Sequence, residues 1–249
     1  MEKLCTKMVS EIKYDEDVAV VGSKRFYDVI RENNFQERVT NLIRDARWCY
    51  YTSFVWANMT FYMGIETMKF PTDMWTMQEI IFENKPDVLI ETGTWKGGSA
   101  FYYAHIMDAI GHGTVITIDN NRKENLPSHP RILYRLGDCL SDEIFSSVRN
   151  FLGYRTVMVN LDSSHTKDHV LKEMELYAPL VTEGQYMVVE DGIVGHPIKI
   201  SDKAGNPIFP GPYEAIEEFL SIHKEFECDR NREKFQIIAN IKGYLRRRG

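Results

Sequence analysis

The sequence predicts an α/β protein, a doubly wound, mostly parallel, seven-stranded Rossmann-like sheet preceded by an N-terminal helical extension. Three observations carry this. From Pro86 onward, short apolar runs alternate with helix-length segments, the pattern of βαβ units. The runs are apolar on successive residues, as in strands covered on both faces. The last two runs are separated by a single residue, too little for a crossover, so the sheet should end in one long strand or a tight antiparallel pair.

The strand-like runs are Val88–Ile90, Val115–Ile118, Ile132–Leu136, Thr156–Leu161, Tyr186–Val189, Phe235–Ala239 and Ile241–Leu245. Helices are expected over Gly98–Ile110, Asp142–Phe151 and Thr166–Tyr177, with Phe101, Ala104 and Met107 on one face of the first. Pro212 should open another helix carrying Ala215, Ile216, Phe219 and Leu220. The first 70 residues lack strong strand patterns; Phe35, Val39 and Leu42 are spaced as in a helix, and a short helix should follow Pro71 with Asp73 as its N-cap. Two parts are therefore expected, an N-terminal helical extension over 1–70 and a main domain over 71–249.

Composition narrows the function. A chain of 249 residues, 43% hydrophobic and 27% charged, can bury a full core, which excludes disordered and collagen-like classes. The absence of any 18-residue apolar run argues against a membrane span or membrane partner. The charged start, MEKLCTKMVSEIKYDED, does not resemble a secretory leader, so a cytoplasmic location is expected. A net charge of −6, with Arg246–Arg248 the only dense basic run, argues against a nucleic-acid partner. Cys5, Cys49, Cys139 and Cys228 are scattered without a C-x-x-C pair and read as reduced thiols, neither a disulfide frame nor a zinc site.

The first strand runs into Glu91–Thr92–Gly93–Thr94–Trp95–Lys96–Gly97–Gly98–Ser99 and then a helix. Ligands of open α/β sheets sit at the carboxyl ends of strands, and Gly93, Gly97 and Gly98 allow close approach to the backbone. The spacing is neither G-x-G-x-x-G nor a Walker A loop. Glu91 would repel a pyrophosphate but suits the cationic amino group of S-adenosylmethionine (SAM). Glu91, Thr92, Gly93, Gly97, Gly98 and Ser99 thus form a candidate cofactor cradle, with Asp119, ending the second strand, placed for the ribose hydroxyls and Asp138, after the third, for the adenine amino group. A tight strand-to-helix connection without a ligand is the plain alternative.

Strand four ends at Asp162 and strand five at Glu190–Asp191. Adjacent parallel strands put these three carboxylates on one rim, where crowding is costly unless a hard divalent cation such as Mg²⁺ joins them; the alternative is that they cap different loops. His165, three residues past Asp162, is the candidate general base. Lys167 is second choice, and His169, although i+4 from His165, is read as a bystander because no H-E-x-x-H accompanies it. The Gly- and Pro-rich stretch 192–211 reads as a substrate-contacting loop.

Several ordered blocks together resemble the cephalosporin hydroxylase / rhamnosyl O-methyltransferase group of class I SAM-dependent methyltransferases. They are Lys69–Phe70–Pro71–Thr72–Asp73–Met74–Trp75 with Gln78–Glu79, Ile90–Glu91–Thr92–Gly93–Thr94, Leu161–Asp162–Ser163–Ser164–His165, Tyr177–Ala178–Pro179–Leu180–Val181, Val189–Glu190–Asp191, and Gly243–Tyr244–Leu245–Arg246–Arg247. The resemblance implies SAM at Glu91, Gly93 and Asp119, and Mg²⁺ or another divalent cation at Asp162, Glu190 and Asp191. It implies methyl transfer to a hydroxyl of a small molecule, with a sugar or nucleotide-linked sugar favoured and a β-lactam-type natural product as alternative, in a chain that could form a homo-oligomer. Gly137–Asp138–Cys139 departs from the pattern, in which a smaller hydroxyl residue is expected after the glycine. The N-terminal region matches least and is expected to shape the substrate pocket. Hydroxylation is disfavoured because the candidate site residues show no H-x-[DE] spacing of the kind non-haem iron sites use. A nicotinamide oxidoreductase and a non-catalytic SAM binder remain as other classes.

Overall fold

The computed structural model describes residues 35–195 and 210–249, together with strands at 12–15, 18–21 and 24–25. The chain divides into two compact units, Met1–Cys49 and Tyr50–Gly249, so the boundary expected at residue 70 falls inside the second. In the first unit, β1 (Ile12–Asp15), β2 (Val18–Val21) and β3 (Lys24–Arg25) form a three-stranded antiparallel sheet, where only helix was expected. Strands of two to four residues are too short to produce a readable alternation. Helix α1 (Phe35–Thr52) begins where its apolar spacing starts.

The second unit opens with a helical turn (Val55–Asn58) and a small hairpin of β4 (Phe61–Tyr62) and β5 (Ile65–Glu66). It continues with α2 (Pro71–Asn84), β6 (Val88–Thr92), α3 (Gly98–Ala109), β7 (Thr114–Asp119), β8 (Ile132–Leu136) and α4 (Asp142–Leu152). Then come β9 (Val157–Leu161), α5 (Lys167–Tyr177), β10 (Tyr186–Val189), α6 (Pro212–Ile222), β11 (Phe226–Cys228) and β12 (Tyr244–Arg247). The seven-stranded sheet has the order β11-β12-β10-β9-β6-β7-β8, with β12 antiparallel to both its neighbours and the remaining pairs parallel. Winding reverses between β6 and β9, which opens a crevice at their carboxyl ends.

Strand residues alternate between two apolar layers. Val88, Ile90, Ile116 and Val159 pack on one face with Val148, Met174 and Phe219 of α4, α5 and α6. Leu89, Val115, Met158 and Val188 pack on the other with Met77, Ile80, Ala104 and Met107 of α2 and α3. Both faces are covered, and every residue of β6 and β9 is buried.

Two expectations need correction. The antiparallel end of the sheet is formed by Phe226–Cys228 and Tyr244–Arg247, not by Phe235–Ala239 paired with Ile241–Leu245. The backbone of the Phe235–Ala239 segment is engaged elsewhere: Gln236 has φ 62°, Ala239 N–H donates to Asp73 at 2.7 Å, and Ala239 C=O accepts from Ile193 N–H at 2.8 Å. Asp73 is therefore not an N-cap. Helix α2 is entered from Phe70 with Pro71 at its first position, and the buried Asp73 side chain ties it to Ala239 and to the Tyr244 hydroxyl at 2.7 Å. The expected substrate loop, 192–211, lies outside the described residues over 196–209.

Candidate active site

The carboxyl ends of β6, β7, β9 and β10 meet in a polar belt. Register aligns Glu91 with Thr117 on one side and Asn160 on the other. Thr117 donates to Glu91 Oε2 at 2.7 Å and also meets the Thr94 hydroxyl at 2.7 Å, while Glu91 Oε1, fully buried, accepts no hydrogen bond among the described residues. Burial pushes the Glu91 carboxyl up to about 7, against the opposing influence of Lys69.

The glycine turn is shaped by how closely chain passes chain. Gly93 has φ +88°, and a Cβ there would stand 2.0 Å from the carbonyl oxygen of Asp162. A Cβ on Gly98 would stand 2.0 Å from Thr67 Oγ1. These glycines seat the β6 loop against the β9 loop and against the β5 end, a packing role beside the ligand approach expected of them. Asp119 Oδ2 accepts the Trp95 N–H at 3.0 Å and Oδ1 accepts the Asn121 N–H at 2.8 Å, so Asp119 clamps the loop while still lining the cavity.

The three acids of the rim converge, though two cations stand between them. Lys69, nearly fully buried ahead of α2, places Nζ 2.5 Å from both Asp162 Oδ2 and Glu190 Oε1. Glu190 Oε1 also accepts from Asn160 Nδ2 at 2.8 Å, and burial pushes its carboxyl up to about 8 despite Lys69. His165 Nε2 lies 3.1 Å from Asp191 Oδ2 and 3.4 Å from Asp162 Oδ1. Burial alone would raise Asp162, but Lys69 and His165 outweigh it and hold that carboxyl below its ordinary range. Burial would lower His165, yet Asp191 and Asp162 hold it up at about 9, so it carries a proton at neutral pH in this arrangement. Carboxylate and ring ligand atoms of Asp162, His165 and Asp191 all lie within 4.8 Å of one another, a donor set that fits a divalent cation.

Backbone strain accompanies this convergence. Asp191 sits at φ 54°, in the left-handed region. The turn is braced by the segment before β12: Asp191 N–H donates to Asn240 Oδ1 at 3.1 Å and Val189 N–H to Gly243 C=O at 2.8 Å. Cβ atoms on Gly192 and Gly243 would each stand 2.0 Å from a carbonyl of the opposite segment.

A cavity of about 350 Å³ opens over the switch point, a size within the usual range for ligand sites. Of the cofactor candidates, Gly93, Asp119 and Asp138 line it, as do Asp162, His165 and Asp191 of the rim. Glu91, Thr92 and Ser99 are buried behind the loop, and Gly97, Gly98 and Glu190 are likewise absent from the wall. Lys167 pairs with Glu218 at 2.6 Å, on α6. His169, read as a bystander, lines the cavity and meets Ser163 Oγ at 2.9 Å. Lys69 went unassigned in the sequence; its place in the block that opens α2 was the only signal. Trp56 and Met68, from the stretch before Pro71, also line the cavity.

The family model for Rhamnosyl O-methyltransferase/CmcI matches residues 54–248. A Rhamnosyl O-methyltransferase of Mycobacterium bovis (strain BCG / Pasteur 1173P2) is 39% identical over 209 residues, covering 80% of this chain and 82% of its own length. The Rhamnosyl O-methyltransferase of Mycobacterium leprae (strain TN) is 37% identical over 213 residues, covering 81% and 88%. Among solved structures, apo CmcI superposes with a TM-score of 0.58 at 20% identity, covering 76% of each chain. CmcI with Mg and SAM superposes with a TM-score of 0.55 at 20% identity, covering 76% and 77%. These structural likenesses concern the fold.

Proposed function

The chain belongs to the rhamnosyl O-methyltransferase/CmcI family, and from that premise we propose that it is a SAM- and divalent-metal-dependent O-methyltransferase acting on a sugar hydroxyl. The observation that carries the reading is the placement of Asp162, His165 and Asp191 on the wall of the cavity that Gly93, Asp119 and Asp138 also line. Gly93, Asp119 and Asp138 thus face the same space as the acid–imidazole cluster.

Bound SAM would supply the methyl group, leaving S-adenosylhomocysteine (SAH) and one proton. Asp119 and Asp138, on the cavity wall, would orient the cofactor, with Glu91 buried behind the loop that carries Gly93. Asp162 and Asp191, with Glu190 beside them, would hold a divalent cation, whose charge lowers the pKa of a neighbouring hydroxyl. His165 takes the acceptor's proton. In the arrangement seen it is already protonated by the pull of two carboxylates, so its action as a base requires positive charge that offsets them. Much of the acceleration then comes from alignment within the cavity.

The test is transfer of labelled methyl from SAM to rhamnosides and nucleotide-linked sugars by the purified protein, with Mg²⁺ and with EDTA. Metal-stimulated labelling of a sugar supports the reading. Failure to label any sugar, combined with failure to bind SAH, would remove it.

A further inference from the structure

A second cluster in the same cavity wall is unused by the reaction above. Cys139, after β8, Ser163, after β9, and His169, in the first turn of α5, all line the cavity. Glu173, one turn further along α5, lies beneath them. Cys139 Sγ is 3.2 Å from Glu173 Oε1 and 3.9 Å from His169 Nε2. His169 Nε2 is 3.7 Å from Glu173 Oε2, and Ser163 Oγ donates to Glu173 Oε1 at 2.8 Å. Glu173 has no exposed surface, and among the described residues its Oε2 accepts no hydrogen bond, facing the His169 ring at 3.7 Å. Burying a carboxylate so thinly compensated is costly, and a cation beside it would offset that cost. The cluster does not have the geometry of a nucleophile–base relay, because Ser163 and Glu173 both approach the same ring nitrogen of His169.

We propose that Cys139, His169 and Glu173 form a binding site for a borderline-soft divalent cation of the zinc type, separate from the carboxylate site at Asp162 and Asp191. The three ligand atoms lie within 4.8 Å of one another. A tetrahedral ion bonded at about 2.3 Å to sulfur and about 2.0 Å to nitrogen and oxygen has ligand-to-ligand edges of roughly 3.3–3.5 Å; Cys139 Sγ already stands 3.2 Å from Glu173 Oε1 and 3.9 Å from His169 Nε2, so small side-chain shifts close the set. His169 and Glu173, four residues apart, share one face of α5, and the β8 loop delivers the thiol to that face. Ser163 Oγ or a water can complete the shell from the cavity side, which is also the route of entry. Burial and Glu173 both push the Cys139 thiol up, so it remains a thiol until the cation displaces its proton to solvent. The absence of a C-x-x-C pair hid this set in the sequence, since its members come from distant segments.

The test is titration of chelator-stripped protein with Co²⁺, read by thiolate-to-cobalt charge-transfer absorption, followed by displacement with Zn²⁺. The expected result is a band saturating at one equivalent, kept in Asp162→Asn and lost in Cys139→Ser, with affinity at least tenfold weaker in His169→Gln. Circular dichroism checks that each variant is folded. No band in the wild type, a band surviving in folded Cys139→Ser, or loss of the band in Asp162→Asn overturns the proposal. Should Cys139→Ser fail to fold, unchanged affinity in His169→Gln overturns it equally.

Discussion

Lys69 is held by two carboxylates at 2.5 Å each and is almost without solvent contact. Removing one partner of a buried ion pair costs about 3–5 kcal/mol, so Lys69→Met should lower the urea midpoint strongly. Added Mg²⁺ should recover more stability in this variant than in the wild type, because it replaces the missing positive charge; equal metal responses would count against a shared site. His165→Ala should reduce methyl transfer by about 100-fold or more, the usual worth of a general base, while SAH affinity changes little; a loss under tenfold would reassign the base. Gly93→Ala forces a Cβ onto the Asp162 carbonyl at φ +88°. Strain of this kind costs about 1–3 kcal/mol before any clash is counted, and an unchanged unfolding midpoint would show that the turn can relax. The acids and His165 were legible in the sequence because each sits at or just past a strand end. Lys69 was not, because its pairing with Asp162 spans 93 residues of chain and rests on tertiary folding alone.

The parallel core was readable because its strands are covered on both faces and so consist of unbroken apolar runs. Its antiparallel end was not. Phe226–Cys228 has three residues, one of them Glu227, whereas the more apolar Phe235–Ala239 spends its backbone groups on Asp73 and Ile193. Local hydrophobicity does not reveal which segment will find a free sheet edge. A second contact between elements is electrostatic. His223, ending α6, stacks on Phe219 at 4.1 Å and bridges Glu175 of α5 and Glu225 at 2.9 and 3.0 Å. Burial would lower its pKa, but Glu225 and Glu175 outweigh burial and raise it. A raised pKa in the fold means that the stabilisation is complete below about 6.5, the unfolded value, and fades as pH climbs through the folded value. His223→Gln should therefore lower the melting temperature at pH 6, by about 2–4 °C if the pair is worth about 1 kcal/mol, and by progressively less as pH climbs through the raised folded value. A pH-independent loss would instead assign the contribution to stacking on Phe219.

For the molecule as a whole, occupancy of the cavity should register as stability. A ligand present at 100 times its dissociation constant adds about 2.7 kcal/mol, which for a chain of this length raises the melting temperature by roughly 5–10 °C. SAH should produce such a shift, whereas NADH should not; the reverse would favour nicotinamide chemistry. The aromatic lining of the cavity has an optical consequence. Four tryptophans are present, and two of them, Trp56 and Trp95, line the cavity. Trp56 is 7% exposed and stacked on Tyr51, whereas Trp95 is 46% exposed with Lys96 and Lys123 over its ring. The indole of Trp95 therefore emits from a wet, cationic setting that a bound adenosyl group would dry and quench. Steady-state fluorescence should then follow filling of the cavity without a label, and Trp95→Phe should remove most of the change, leaving the smaller response of buried Trp56 over the background of Trp48 and Trp75.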